Sequence, residues 1–315
     1  MESRFQADID NCIDFLLELL NKTADNQALT WLQEKVKLIK DNPAERNIFI
    51  NFSLASRFFS KDKILLSSED LEKAQTLRKG FNPTGWNALQ VARTIVLLNI
   101  PYQDSDKQLK TLNQLFESAD VAELVTLYAA LPLLPNPEIH AKRASEGIRT
   151  NMTVVLDAVV LNNPFSAEYM DDISWNQLVL KTIFTERPVF MISGADERAN
   201  ERLALTLSDY AHERWAAGRK VTPELWRFTG QFAEQNLLKD YKILFEQGSQ
   251  YEKAAALLAC KESTTNEAKE LVNKFENTLT KKFQNWDELG NAYLMEKGEL
   301  PSGYQQAGSG VSTQY

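Results

Sequence analysis

Residues 237–264, "LLKDYKILFEQGSQYEKAAALLACKEST", decide the fold. They read as a helix, a Gly-Ser break at 248–249 and a second, alanine-rich helix. Two helices joined so tightly resemble a HEAT-like unit, in which pairs stack into a curved solenoid. The same grammar runs through the rest of the chain. Leu16, Leu19 and Leu20 share one helical face, as do Val91, Ile95 and Leu98. Asn-Pro at 42–43, 82–83, 136–137 and 163–164, and Thr-Pro at 222–223, look like helix starts. There the polar side chain caps free amides, and proline loses no useful donor. "SGAD" at 193–196 fits the Ser-x-x-acid capping pattern. The expected helices include 4–22, 26–40, 137–161, 172–185, 194–217 and 222–235. Only "PVFMIS" (188–193) looks extended, and six residues make no sheet. The fold class is therefore all-α, as irregular stacked helix pairs. The starts follow no fixed period, which leaves a HEAT-like α-solenoid and a helical bundle both open.

The chain has 315 residues, with only 12 glycines and 10 prolines, too few for the many tight turns of a sandwich or barrel. Residues 1–298 are expected to form one helical domain. The polar, Gly/Ser-rich stretch 299–315 is expected to be a disordered tail. A net charge of −8 with no basic stripe argues against a nucleic-acid partner. Cys12 and Cys260 lack CxxC spacing and read as free thiols of a reducing cytoplasm. The acid-bearing N-terminus lacks a signal peptide's basic region, and no apolar run reaches the ~18 residues of a membrane span. A cytoplasmic protein without a transmembrane segment is the expectation.

The composition changes in the middle. Residues 140–230 hold eight of the 13 arginines but three of the 22 lysines, together with both histidines and three of the six tryptophans. Arginine forks suit ordered pairing with carboxylates or phosphates, whereas lysine suits solvated surface. Two readings follow: a lattice of ion pairs between helices, or a polar cavity for a small anionic metabolite. Within "DYAHERWAAGR" (209–219), Asp209 and His212 are three apart and can touch, so the aspartate could orient the imidazole. Arg214 falls about 20° from Leu203 on the wheel, inside the apolar arc that Trp215 also borders. It must snorkel past the helix end or find a buried carboxylate. Asp157, within "VVLDAVV", needs a cationic partner if buried, with Arg149, Arg187 and Arg214 as candidates. Gly147 is placed to admit a neighbouring helix or ligand. Asn176 and Lys181 read as solvated. The candidate cavity residues are thus Arg149, Asp157, Arg187, Asp209, His212, Arg214 and Trp215. No HExxH, paired-cysteine, GxGxxG, Walker or GxSxG pattern occurs, so neither a metal nor a cofactor is assigned.

"GIRTNMTVVLDAVVLNNPFSAEYMDDISWNQLVLKTIF" (147–184) and "DERANERLALTLSDYAHERWAAGRKVTPELWR" (196–227) resemble the EboA family of bacterial proteins, over about 135–230. The family has no established catalytic residues, so none is carried over. Its gene cluster also encodes a UbiA-type prenyltransferase, a TatD-type hydrolase and other enzymes of secondary metabolism. The resemblance therefore implies an accessory protein of metabolite biosynthesis or precursor export. Its implied partners are pathway proteins, a membrane prenyltransferase among them. A non-catalytic scaffold is the favoured reading, and a carrier or enzyme with an arginine-rich cavity is the alternative.

Overall fold

In the computed structural model the described residues are 7–298. The tail expected at 299–315 and the first residues of the helix expected at 4–22 lie outside them. Among the described residues all regular structure is helical, apart from isolated bridge residues, Lys63 and Asn87 among them. The all-α expectation holds. The described chain forms two compact units, 7–165 and 166–298.

The first unit contains α1 (Ile9–Asn21), α2 (Asn26–Asp41), α3 (Glu45–Leu54), α4 (Ser68–Leu77), α5 (Ala88–Leu98), α6 (Ser105–Ser118), α7 (Val121–Ala129), α8 (Ala141–Gly147) and α9 (Thr153–Val160). Apart from Gln90, every residue of α5 is buried, so this helix forms the centre, with α1 and α3 packed on it. A helix apolar nearly all round belongs in a core. Arg93 interrupts it and is paired inside through two of its three nitrogens, while its buried Nη1 has no hydrogen-bond partner among the described residues. Its Nε donates to the Phe52 carbonyl at 3.0 Å and its Nη2 to Glu123 at 3.0 Å. Ser53 donates to the same Glu123 oxygen at 2.8 Å. Burial holds the Arg93 pKa below its usual value, against the pull of Glu123 and Asp120.

The single helix expected at 137–161 is broken. A 3-10 turn (Pro137–His140) leads into α8, the chain turns at 148–152, and α9 runs separately. Thr150 Oγ1 accepts from the Met152 amide at 3.0 Å and so stabilises the turn. Gly147 sits where the chain reverses. A Cβ there would lie 2.6 Å from the Tyr128 ring of α7 and 2.8 Å from Val159 of α9. The glycine admits neighbouring helices, one of the two roles anticipated for it.

The second unit contains α10 (Phe165–Tyr169), which starts at the boundary, α11 (Asp172–Phe184), α12 (Glu201–Ala216), α13 (Gln235–Gln247), α14 (Gln250–Glu262), α15 (Asn266–Phe275) and α16 (Trp286–Lys297). The alanine-rich α14 is its hub and touches α13, α15, α16 and the 3-10 turns at 223–228 and 230–232. Short side chains such as Ala254, Ala255, Ala256 and Ala259, all buried, allow that close approach.

Three local expectations differ from the structure here. "PVFMIS" holds a 3-10 turn (Val189–Met191), with Ile192 N–H bonded back to the Val189 carbonyl at 2.9 Å. The helix expected at 194–217 begins at Glu201. Its cap is Asn200, whose side chain accepts from Leu203 N–H at 3.0 Å, and Gly194 lies upstream in a left-handed turn at φ +73. Residues 222–235 form 3-10 turns, and Thr222 makes no side-chain cap.

Candidate functional site

Two groups of buried polar side chains stand out in the second unit. The first is the seam between α12 and α13. Asp240 of α13 is buried at 2% side-chain exposure and accepts two bonds from α12, one from Ser208 Oγ at 2.6 Å and one from His212 Nε2 at 2.6 Å. A carboxylate only accepts, so His212 carries its hydrogen on Nε2. The His212 ring lies 5.6 Å from Trp215. Trp215 stacks on Trp226 at 5.8 Å, and Trp226 meets Tyr241 edge-on at 5.9 Å. Tyr241 shares a hydrogen bond of 2.8 Å with Thr229, and burial pushes its phenol pKa up. Serine and histidine both serve the aspartate and do not serve each other. This arrangement satisfies a buried acid but does not activate a nucleophile.

The second place surrounds Arg227, whose side chain is 8% exposed. Its fork grips Asp196 with two bonds, of 2.6 and 2.8 Å, and its Nη1 donates to Asp287 of α16 at 2.8 Å. Burial works against the charged form, yet these carboxylates carry the guanidinium pKa above its usual value. Beside it lies Glu224, wholly buried, accepting from Phe190 N–H at 2.6 Å. Burial raises its pKa to about 7, although the Val189 and Phe190 amides and Arg227 pull it down. Gly290 of α16 leaves room for it. A Cβ there would sit 2.5 Å from Glu224 Oε1 and 2.7 Å from the Phe190 ring. Glu262 of α14, also raised to about 7 by burial, accepts from Trp286 Nε1 at 2.5 Å.

The sequence-derived candidates are dispersed. Arg149 and Asp157 belong to the first unit, and the other five to the second. Arg149 is exposed; Asp157 on α9 is half-buried and has a partner, as does the half-buried Arg187. Asp209 is exposed, and His212 binds Asp240 rather than this neighbour. Arg214 reaches past the helix end to the Lys220 carbonyl, at 3.0 Å from Nη2 and 3.2 Å from Nε, the snorkelling outcome of the two foreseen. Trp215 is half-buried between His212 and Trp226. Asn176 is more than a solvated amide, because it exchanges bonds of 2.9 and 3.2 Å with Asn200. His140 is buried in the first unit at 3.3 Å from the Pro135 carbonyl, and burial depresses its pKa to about 4.

Sequence reasoning missed Arg227, Glu224, Glu262 and Asp240. Only Asp240 carried a readable signal. It lies on the arc of its own helix that Leu237, Tyr241 and Leu244 bury. Among the described residues no group of three or more His, Cys, Asp or Glu is placed to hold a metal ion, and no helix is long and apolar enough to cross a membrane. The first unit carries a cleft of about 260 Å³ between α1, α2 and the chain leaving α5. Ile9, Ile13, Ile39, Leu98 and Ile100 line it, with Tyr102 at its edge, and no candidate residue does.

Comparison with known proteins adds one finding. The family model described as Metabolite traffic protein EboA matches residues 12–230, more than half of the chain, so the chain belongs to the EboA family. The match begins well before the resemblance read at 135–230 and takes in most of the first unit. It ends before α13, so Asp240, Glu262 and Asp287 lie beyond it. No curated protein and no solved structure matches.

Proposed function

From membership of a family described as metabolite traffic proteins, we propose that the chain is a non-catalytic accessory protein that binds a partner protein of its pathway. One observation carries this reading: four of the basic side chains of the matched segment in the second unit, Arg198, His212, Arg214 and Arg227, are bound to the fold's own groups. Arg198 donates to the Ala167 and Met170 carbonyls and to Asp172, and lies over the Trp175 ring at 5.0 Å. Arg227 holds Asp196 and Asp287, Arg214 holds the Lys220 carbonyl, and His212 holds Asp240. Guanidinium forks committed in this way order helix ends and turns and are not poised for an incoming anion. The partner is a cluster-encoded enzyme or membrane protein. The chain works in the cytoplasm as a helical scaffold that carries its partner's metabolite traffic without reacting with the metabolite.

Affinity purification of the chain from cells that use it, after mild cross-linking, tests the proposal. One pathway protein at near-equal stoichiometry is the expected result. Recovery of the chain alone, with a low-molecular-weight compound retained in it, would replace the scaffold with a carrier.

A further inference from the structure

α16 packs on α14 and on the turns Val189–Met191 and Pro223–Phe228. Its apolar hold is small for twelve residues: Trp286, Leu289 and Leu294 are buried, with Gly290 between them. It is reached over a link, 279–285, that has no regular structure and is mostly exposed. Polar contacts add to the hold. Arg227 binds Asp287, Tyr251 Oη donates to the Ala292 carbonyl at 3.0 Å, and Lys297 donates to Glu186 at 3.0 Å. Elements held by few apolar contacts open before the rest of a fold.

Beneath this helix lie Glu224 and Glu262, neither of which has an ion-pair partner among the described residues. Glu224 Oε1 lies so close to Gly290 that any larger residue there would displace it. Glu262 holds Trp286 Nε1 with one oxygen, and its other oxygen packs against Gly230. The groups around them are four carboxylates, Asp196, Glu224, Glu262 and Asp287, and one cation, Arg227, which Asp196 and Asp287 already occupy. Lys261, next in the chain to Glu262, is bound to Glu276 at 2.6 Å. Tyr241 also feels Glu262, and burial keeps its phenol neutral. A carboxyl covered by a helix, facing other acids and without a cation of its own, keeps its proton. Burial accordingly lifts both Glu224 and Glu262 to about 7.

We infer that α16 is a strap that stays down while the two acids beneath it hold their protons and lifts as they ionise. Lifting returns both carboxyls to water, so each ionises near 4.5 in the open form and near 7 in the closed one. Below 4.5 both forms are protonated and closure is unopposed. Between 4.5 and 7 the open form gives up its protons first, so closure weakens with rising pH, and above 7 the loss is complete. The two acids contribute unequally. Glu262 sits at the N-terminal end of α16, whose dipole favours its charge, whereas Glu224 faces the middle of the helix and gains nothing from it. Glu224 is therefore the main trigger. Its titration raises the opening constant about tenfold between pH 6 and pH 8, and Glu262 adds a smaller factor. Phe190, Glu224 and Arg227, which lie against α16, belong to the segment 12–230 that the family model matches, and α16 itself lies beyond it.

The inference stands apart from the proposed scaffold role, and its test needs only the purified chain. Hydrogen exchange read by mass spectrometry at pH 6, 7 and 8, with each rate divided by its intrinsic chemical rate, gives the opening constants of α16 and α14. In the native chain α16 should open at every pH in events that leave α14 closed, and its constant should rise at least tenfold from pH 6 to pH 8. Glu224→Gln/Glu262→Gln keeps a carbonyl for the Phe190 amide and for Trp286 Nε1 but removes the titration, so its α16 constant should stay flat over that range. Exchange of α16 only together with α14, a native constant equal at pH 6 and pH 8, or a rise that survives in the double variant would each overturn the inference.

Discussion

At pH 8 the Glu224→Gln protein should be more stable than the native chain by about 2–3 kcal/mol, and at pH 4.5 the two should be nearly equal. Glu224 is an acid whose folded pKa, about 7, lies above the 4.5 of an unstrained glutamate, because burial disfavours its charge. Below pH 4.5 both states hold the proton, and the favourable environment of the neutral acid is fully present. Between 4.5 and 7 the unfolded chain gives up its proton first, so stability falls with rising pH. Above 7 both states are ionised and the loss is complete. Glutamine keeps a carbonyl for the Phe190 amide and removes the titration. The difference between the two proteins is the measurement to make, because His140 works in the opposite direction. Its folded pKa of about 4 lies below the usual 6.5, so its contribution is present above 6.5 and lost as the pH falls through 4. Urea unfolding at pH 4.5, 6, 7 and 8 would read the effect. A constant difference across that range would mean that Glu224 is already solvated.

Arg227→Met should cost about 3 kcal/mol at pH 7, near the lower end for breaking a buried ion pair by removing one partner. The discount has a structural reason. Asp196 and Asp287 are 51% and 66% exposed, so water rehydrates them once the guanidinium is gone. Glu224 lacks that relief, and the loss of the neighbouring cation raises its pKa further. The same substitution should therefore steepen the alkaline loss of stability, and Arg227→Met/Glu224→Gln should recover part of it. Denaturant curves for both variants and the pair would close the cycle. A single-variant cost below about 0.5 kcal/mol would show that the pairing contributes little.

The helical class was legible because it rests on periodicity, which is local. The capping was only partly legible. The side chains that accept a bond from the first turn are Asp8, Asp25, Ser67, Asn87, Asp104, Asp120, Asp171, Asn200, Ser249, Thr265 and Asn285. None of them precedes a proline, but Asn163, before Pro164, accepts from Phe165 N–H at 3.0 Å where α10 begins, as an Asn-Pro helix start should. Asn136 sits at φ +53 and makes no cap, and Asn163 donates to the Tyr128 carbonyl. At the other Asn-Pro pairs the asparagine makes no helix cap, because turn geometry competes with helix entry for the same residue types. The arginine excess at 140–230 left ordered pairing and an anion cavity both open and singled out neither Arg198 nor Arg227, which the structure shows paired. Which carboxylate each arginine meets depends on long-range packing. Asp287 lies 60 residues from Arg227, and Asp240 lies 28 from His212. No spacing rule reaches that far. Asp209 was the attractive partner for His212 because it is close in sequence, but a buried aspartate with no other donor except Ser208 wins the imidazole. Glu224 looked like a first-turn acid after Thr-Pro. It is a buried carboxylate because Gly290, 66 positions later, has no side chain to exclude it.

The central claim is that the candidate side chains Arg149, Asp209 and Arg214 take no part in handling the metabolite. Its most direct test is complementation of a deletion strain with Arg149→Leu/Asp209→Asn/Arg214→Leu. Untargeted mass spectrometry of the deletion and native strains first defines which metabolites depend on the chain. The account predicts that the triple variant, folded and present at native abundance, restores those metabolites to native levels. A folded, abundant variant that leaves them at the level of the deletion strain would contradict it and place these side chains in a metabolite site.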